Sequence, residues 1–379
     1  MNILVLNYEY PPVGGGGGVI SKYIAEGLAV HGHQITVVSV WHKGLAESEP
    51  GNPEIIRLRS KRKNLYRSGP LEMFSWMHHA KLFLKGESTK RKWDFCLANF
   101  TLPGGAVALH LKRKSGTPYA VISHGHDVPW ARPRALWFFY ILCFYSLKSI
   151  LKKSGANFVQ SEWMKQNIDR FSGHDPEKNI LVTNGCNPAV FYPAEKPTDT
   201  FRIIFSGRLV RQKNPMSALK ALRIIKDEGV EFSALFLGDG PLRKKMEAYI
   251  CEAGLEREVE LKGKIPQEEV AELYRSSSLM LAPSVSEGMS LTVLEALFGG
   301  LYVICTPVSG NPELVSEGIN GEMIVSAEPR SIADAIIRFH REKFLPGYRI
   351  VPGFLEIFRE KYSWKKIVDQ YNNYLQSLK

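Results

Sequence analysis

RIIFSGRLVRQKNPMSALKALRIIK, residues 202–226, reads as a strand, a cation-bearing turn and a helix. The apolar run Arg202–Phe205 is followed by Arg208 and Lys213, and helical spacing of apolar residues then runs from Pro215 to Lys226. Further apolar runs follow at Ser233–Leu237, Val259–Leu261, Leu279–Ala282 and Tyr302–Cys305, separated by helix-like stretches such as Leu242–Cys251. Short Val, Ile and Leu runs alternating with helices are the pattern of a parallel sheet covered by helices.

Upstream, the same pattern has already run once, at Ile3–Leu6, Ile35–Val40, Phe95–Ala98, Tyr119–Ile122 and Asn157–Gln160. The chain therefore reads as α/β with two Rossmann-like sheets. Its 379 residues agree with two domains at the rough prior of about 150 residues each. Between the two series, Tyr192–Thr200 (YPAEKPTDT) interrupts both periods with two prolines and reads as the linker, which places the boundary at 195/196. Lys361–Leu378 reads as a terminal helix with one apolar face that needs a surface to pack on.

Composition excludes several classes. The first residues, MNILVLN, lack a basic region and a cleavage site, so the expectation is a buried strand and a cytoplasmic protein. Five scattered cysteines without CxxC spacing read as reduced apolar side chains rather than zinc or redox ligands. The longest apolar run, Ala135–Leu147, falls short of the roughly 20 residues that span a bilayer and reads as a buried or interfacial helix. The net charge of +11 is concentrated between Arg57 and Lys92. A solvated surface, an anionic membrane surface and nucleic acid compete for that stretch, and nucleic acid ranks last because no DNA- or RNA-binding motif accompanies the charge.

Three segments could carry chemistry. After the first strand, Gly14–Gly18 lead into a helix expected near Val19, and a glycine loop at a helix N-terminus cradles anions. The run has neither the Lys-Ser/Thr ending of a P-loop nor the strict GxGxxG dinucleotide fingerprint with its acidic partner. Arg208 and Lys213, a guanidinium fork and a mobile ammonium at a strand's carboxyl edge, suit a diphosphate or form a solvated basic loop. In SEGMSLTVLEA, Glu287 is expected at a helix entrance and Glu295 about two turns inside, so that the amides of Gly288, Met289, Ser290 and Leu291 would meet an anion at the helix end. The alternative there is a pair of unrelated surface glutamates.

These motifs and their order resemble the retaining glycosyltransferases of family 4, which have the GT-B fold. The resemblance covers nearly the whole chain, through YEYPPVGGGGGVISKYIAEGLAVHGHQITVV, LPGGAVAL, ISHGHD, NGCNPAVFYP, SGRLVRQKN, LGDGP, LKGKIP and SEGMSLTVLEAL. It implies two Rossmann-like domains facing a central cleft. Residues 1–195 form the acceptor side, with 361–379 crossing back as a C-terminal helix, and residues 196–360 hold the donor. A hinge near Tyr192–Thr200 would close the cleft.

The resemblance further implies a sugar nucleotide as donor and a sugar acceptor; the basic Arg57–Lys92 stretch and the apolar Trp137–Leu147 helix add the expectation of a lipid-linked acceptor with peripheral membrane contact, and no nucleic acid is expected. Gly16, Gly17 and Gly18 approach the diphosphate and acceptor, Arg208 and Lys213 clamp the diphosphate, Glu287 holds the sugar hydroxyls and Glu295 the ribose. A histidine beside the sugar maps to His124, with His126 as competitor. Asn187 departs from the aspartate that many members carry. No cofactor and no metal are expected, since no DxD-type site stands where a diphosphate would bind. A non-catalytic sugar-nucleotide-binding protein, or an epimerase or phosphorylase on the same scaffold, is the competing reading.

Overall fold

The computed structural model describes residues 1–378 except Arg67, Ser88, His126, 128–136, 173–175 and 196–199, and it leaves out the side chains of 137–140 and Ser172. The chain divides into two compact units, Met1–Gly185 with Trp364–Lys379, and Cys186–Ser363.

The first unit is built on eight strands: β1 (Asn2–Leu6), β2 (Gln34–Val40), β3 (Ser48–Glu49), β4 (Glu54–Leu58), β5 (Phe95–Asn99), β6 (Tyr119–Ile122), β7 (Ala156–Val159) and β8 (Asn179–Leu181). They lie in the order β3-β4-β2-β1-β5-β6-β7-β8, parallel except for the short edge strand β3. Apart from Asn2, strands β1, β5, β6 and β7 are buried, as their largely apolar runs require. Helices α1 (Gly16–Val30), α2 (Pro70–Glu87), α3 (Ala106–Ser115), α4 (Trp137–Lys153) and α5 (Glu162–Ser172) connect them. Trp76 and Leu84 of α2 and Ile150 and Leu151 of α4 enter one apolar core with Leu4, Leu6 and Val121.

The second unit has β9 (Arg202–Ser206), β10 (Ser233–Leu237), β11 (Val259–Gly263), β12 (Leu279–Ala282), β13 (Tyr302–Cys305) and β14 (Gly321–Met323), all parallel, in the order β11-β10-β9-β12-β13-β14. Its helices are α6 (Pro215–Asp227), α7 (Arg243–Glu252), α8 (Gln267–Arg275), α9 (Leu291–Phe298), α10 (Asn311–Leu314), α11 (Pro329–Phe339) and α12 (Pro352–Lys361). Helix α13 (Trp364–Gln376) then belongs to the first unit. It packs along α1, where Trp364 stacks on Tyr23 with ring centroids 4.7 Å apart. A Cβ on Gly27 would come within 2.6 Å of Val368, so the crossing is close because that position carries no side chain.

Four points differ from the sequence reading. The division falls between Gly185 and Cys186, ahead of 195/196. Gly185 lies under Trp364, whereas Phe191 packs against Tyr274 and Arg275 lies over Tyr192 in the second unit, so the chain has changed units before its prolines. Part of the expected linker, 196–199, lies outside the described residues. Helix α1 starts at Gly16 rather than near Val19, with Val19 N–H already bonded to Gly15 O at 3.2 Å. Of the apolar run 135–147, the described part from Trp137 onward opens a longer helix running to Lys153, on which Ile141, Leu142 and Tyr145 are exposed; 135 and 136 lie outside the described residues. Strands β3, β4, β8 and β14 were not expected, being short or, for β4, hidden at the start of the basic stretch.

Candidate functional site

In each sheet one strand has neighbours whose connections leave in opposite directions, which opens a crevice at its carboxyl end. In the second unit that point lies between β9 and β12. The turn after β9 is drawn tightly against the turn after β10. A Cβ on Gly238 (φ +125°) would stand 2.1 Å from Gly207 O, so only glycine fits there. The loop is also tied to the one after β12, through Val285 N–H to Gln212 O (2.7 Å) and Gln212 Nε2 to Ser286 O (2.8 Å).

This knitting brings Lys213 Nζ to 2.6 Å from Glu287 Oε1, with the side chains only 16% and 9% exposed. Arg208, on the same loop, is exposed and makes no ion pair among the described residues. The structure thus joins Lys213 to Glu287 and leaves the Arg208 guanidinium open to solvent.

Ser290 caps α9, its Oγ accepting from Val293 N–H at 3.5 Å, and Gly288 O accepts from Gly310 N–H at 3.1 Å. Met289 is buried. Leu291 opens the helix, so Glu295 stands little more than one turn inside rather than two. Burial pushes the Glu295 carboxyl up to about 8, against a hydrogen bond from Gln267 and the positive charge of Lys213. Gln267 Nε2 lies 3.5 Å from Glu295 Oε1. Gln267 opens the acidic helix α8, and nothing in the sequence marks it.

In the first unit the corresponding strand is β1, between β2 and β5. Gly16, Gly17 and Gly18 form the first turn of α1. A Cβ on Gly17 would meet Phe100 at 2.7 Å, and one on Gly18 would meet Glu9 O at 2.9 Å. His124, after β6, lies against this turn, its Cγ 3.5 Å from the place of a Gly17 Cβ and its ring centroid 4.5 Å from that of Phe100. Its Nε2 is 2.9 Å from Asn99 Oδ1 and its Nδ1 is 3.0 Å from Gln160 Nε2. Burial holds its pKa down to about 3, so the ring is neutral.

Asp127 accepts the backbone N–H groups of His124 and Thr101, both at 2.8 Å, and fixes the two turns together. Asn99, Phe100, Asp127 and Gln160 were not singled out from sequence as contributors, and the competing His126 lies outside the described residues.

The basic stretch is divided: Arg59, Lys61, Lys63, Lys90 and Lys92 are exposed, as a solvated surface requires, while other cations are tied into the structure. Arg57 is buried, paired with Glu49 and donating to Pro11 O; Arg62 lies over the Tyr8 ring; Arg91 is paired with Glu54 and Glu87. These guanidinium groups fasten loops to the sheet because a planar fork can satisfy several acceptors at once.

Residues 14–190 match the family described as Glycosyltransferase Family 4, and residues 190–347 match Glycosyl transferases group 1. An uncharacterized glycosyltransferase of Methanocaldococcus jannaschii is 25% identical across 98% of this chain and 96% of its own. Sucrose-phosphate synthase of Thermosynechococcus elongatus superposes with a TM-score of 0.87 at 20% identity, covering 100% of this chain and 98% of that one. HepE of Anabaena, solved in complex with UDP and glucose, gives 0.78 at 17% identity over 100% of both chains. The fold of the chain is GT-B.

Proposed function

The chain belongs to glycosyltransferase family 4 and transfers a sugar in glycan biosynthesis, and from that premise we propose how it does so. The donor is a nucleoside-diphosphate-sugar, the anomeric configuration is retained, and the acceptor is a hydroxyl of a sugar or lipid-linked sugar in polysaccharide or glycoconjugate assembly. The protein works in the cytoplasm, with its acceptor presented at the cytoplasmic face of a membrane.

The observation that carries the donor reading is the Lys213–Glu287 pair beside the capped start of α9, at the switch point of the second sheet. Departure of a diphosphate is the difficult step, since negative charge grows on the leaving oxygen. Arg208, Lys213 and the first amides of α9 stabilise that charge. Lys213 turns from Glu287 to the phosphate, and Glu287 is released to accept from the hydroxyls of the transferred sugar. Glu295 accepts from the ribose, and in the first unit the amides of Gly16, Gly17 and Gly18 at the start of α1 serve the acceptor.

With two cations and a helix terminus supplying the charge, transfer proceeds without a divalent ion and without a cofactor. The test is calorimetry and nucleotide release over UDP-, GDP- and ADP-sugars, for the wild type and Arg208→Ala, with and without chelator. One nucleotide class binds selectively, and Arg208→Ala loses about 3 kcal/mol, or roughly a hundredfold in turnover. Full turnover in Arg208→Ala removes the clamp; activity abolished by chelator and restored by Mn²⁺ removes the metal-free mechanism.

A further inference from the structure

Both nitrogens of the His124 ring are already committed inside the first unit. Asn99 Nδ2 donates to Ser21 Oγ at 3.2 Å, which leaves Asn99 Oδ1 as the acceptor facing His124 Nε2. On the opposite side Gln160 Nε2 donates to Nδ1. A neutral imidazole donates through one nitrogen and accepts through the other, so this pair of amides specifies the tautomer with the proton on Nε2. Gln160 is itself buried at the end of β7, where it faces the ring rather than solvent.

Resting on the reading that His124 lies beside the transferred sugar, we propose that Gln160 is a positioning residue that keeps the His124 imidazole neutral and its ring fixed during transfer. His124 then acts as a wall of set shape and zero charge and moves no proton. Neutrality has a use at that position. Positive charge builds on the anomeric carbon as a glycosyl bond breaks, and an imidazolium against it would oppose the step.

The groups packed on the ring are Gly17 from α1, Asn99 and Phe100 from the end of β5, Gln160 from β7, and Asp127, which takes the His124 backbone N–H. Of these Asp127 alone is titratable, and its carboxylate is occupied by Thr101 and the backbone.

The choice of an amide at 160 has a consequence that an acid reveals. In Gln160→Glu a carboxylate can only accept, so Nδ1 must carry a proton while Asn99 still requires one on Nε2, and the ring becomes an imidazolium. Gln160→Met keeps the volume and removes the hydrogen bond without adding charge. The experiment is nitrogen-15 NMR of histidine-labelled protein, together with pH profiles of kcat and donor KM for the wild type, both variants and His124→Ala. Each protein is first checked for native unfolding behaviour.

Wild-type His124 is expected to show the neutral Nε2–H signature throughout the range of about pH 5 to 9. In Gln160→Glu the ring is charged near pH 7, and kcat falls on the order of a hundredfold, with activity returning as pH rises and the ring loses its proton. Donor KM moves much less. Gln160→Met loses about tenfold in kcat with no new limb in the profile.

A wild-type ring that is charged near pH 7 or protonated on Nδ1 overturns the proposal. So does a Gln160→Glu profile that coincides with the wild type. If the tautomer is as stated but His124→Ala turns over like the wild type, the proposal falls because the ring does not stand beside the reacting sugar. Donor binding through Arg208 is measured separately and survives that result.

Discussion

Glu295 is a carboxyl that the fold makes reluctant to ionise, burial having pushed it up to about 8 against Gln267 and Lys213. Because its folded pKa lies above its unfolded value, its contribution to stability is fully present below the unfolded pKa of about 4.5 and is lost as pH rises through about 8. Hydroxyl donors of a ribose favour the carboxylate and reverse that preference. Donor binding near pH 7 should therefore release close to one proton, seen as a binding heat that varies with buffer ionisation enthalpy and no longer varies in Glu295→Gln. A heat independent of buffer removes Glu295 as the ribose contact. His124 has the opposite sign: its lowered pKa makes its share of stability complete above about 6.5 and lost as pH falls toward about 3. Lys213 and Glu287 could be picked out because charged residues at a strand's carboxyl edge are chemically conspicuous. Gln267 and Gln160 are ordinary amides whose partners stand 28 and 36 residues away, so their roles exist only once separate elements meet.

At the scale of elements, long apolar runs were legible because burial on both faces leaves no alternative composition. The three-residue strands β8 and β14 carry too few residues for any period to show. Charge was the least legible property, since composition cannot tell a guanidinium fastened to backbone and carboxylates from one facing water. Beside the exposed cations of 57–92, the structure adds α4 as a second surface of interest. Ile141 and Tyr145 are followed on the same side of that helix by Lys148 and Lys152, an apolar start and a cationic end. No helix among the described residues is long and apolar enough to cross a membrane. Helix α4 is the element expected to touch an anionic lipid surface, its apolar side chains at the acyl boundary and its lysines among the headgroups. Replacing both Ile141 and Tyr145 by serine should weaken binding to anionic vesicles about tenfold or more, with donor affinity unchanged. Absence of wild-type binding at low salt would remove the membrane contact.

For the whole molecule, the contact of α13 with α1 decides the integrity of the first unit. Besides the Tyr23–Trp364 stack, His31 Nε2 meets Asp369 at 2.9 Å and His33 Nε2 meets Asn372 Oδ1 at 2.8 Å. Trp364, Ile367, Val368, Tyr371 and Leu375 are buried, and at about 1.5–3 kcal/mol for each large apolar side chain their loss rivals the entire stability of a domain. Deleting residues 364–379 should leave the first unit open to protease while Cys186–Ser363 persists as a resistant fragment. Equal protection of both units would contradict this. The chain path also sets a timetable. Cys186–Ser363 is one uninterrupted stretch, whereas the first unit is closed by a segment that lies more than 170 residues after the rest of it. Until Trp364–Gln376 docks, the flank of α1 around Tyr23 and Gly27 is bare, and that groove is where a chaperone would find apolar surface to hold.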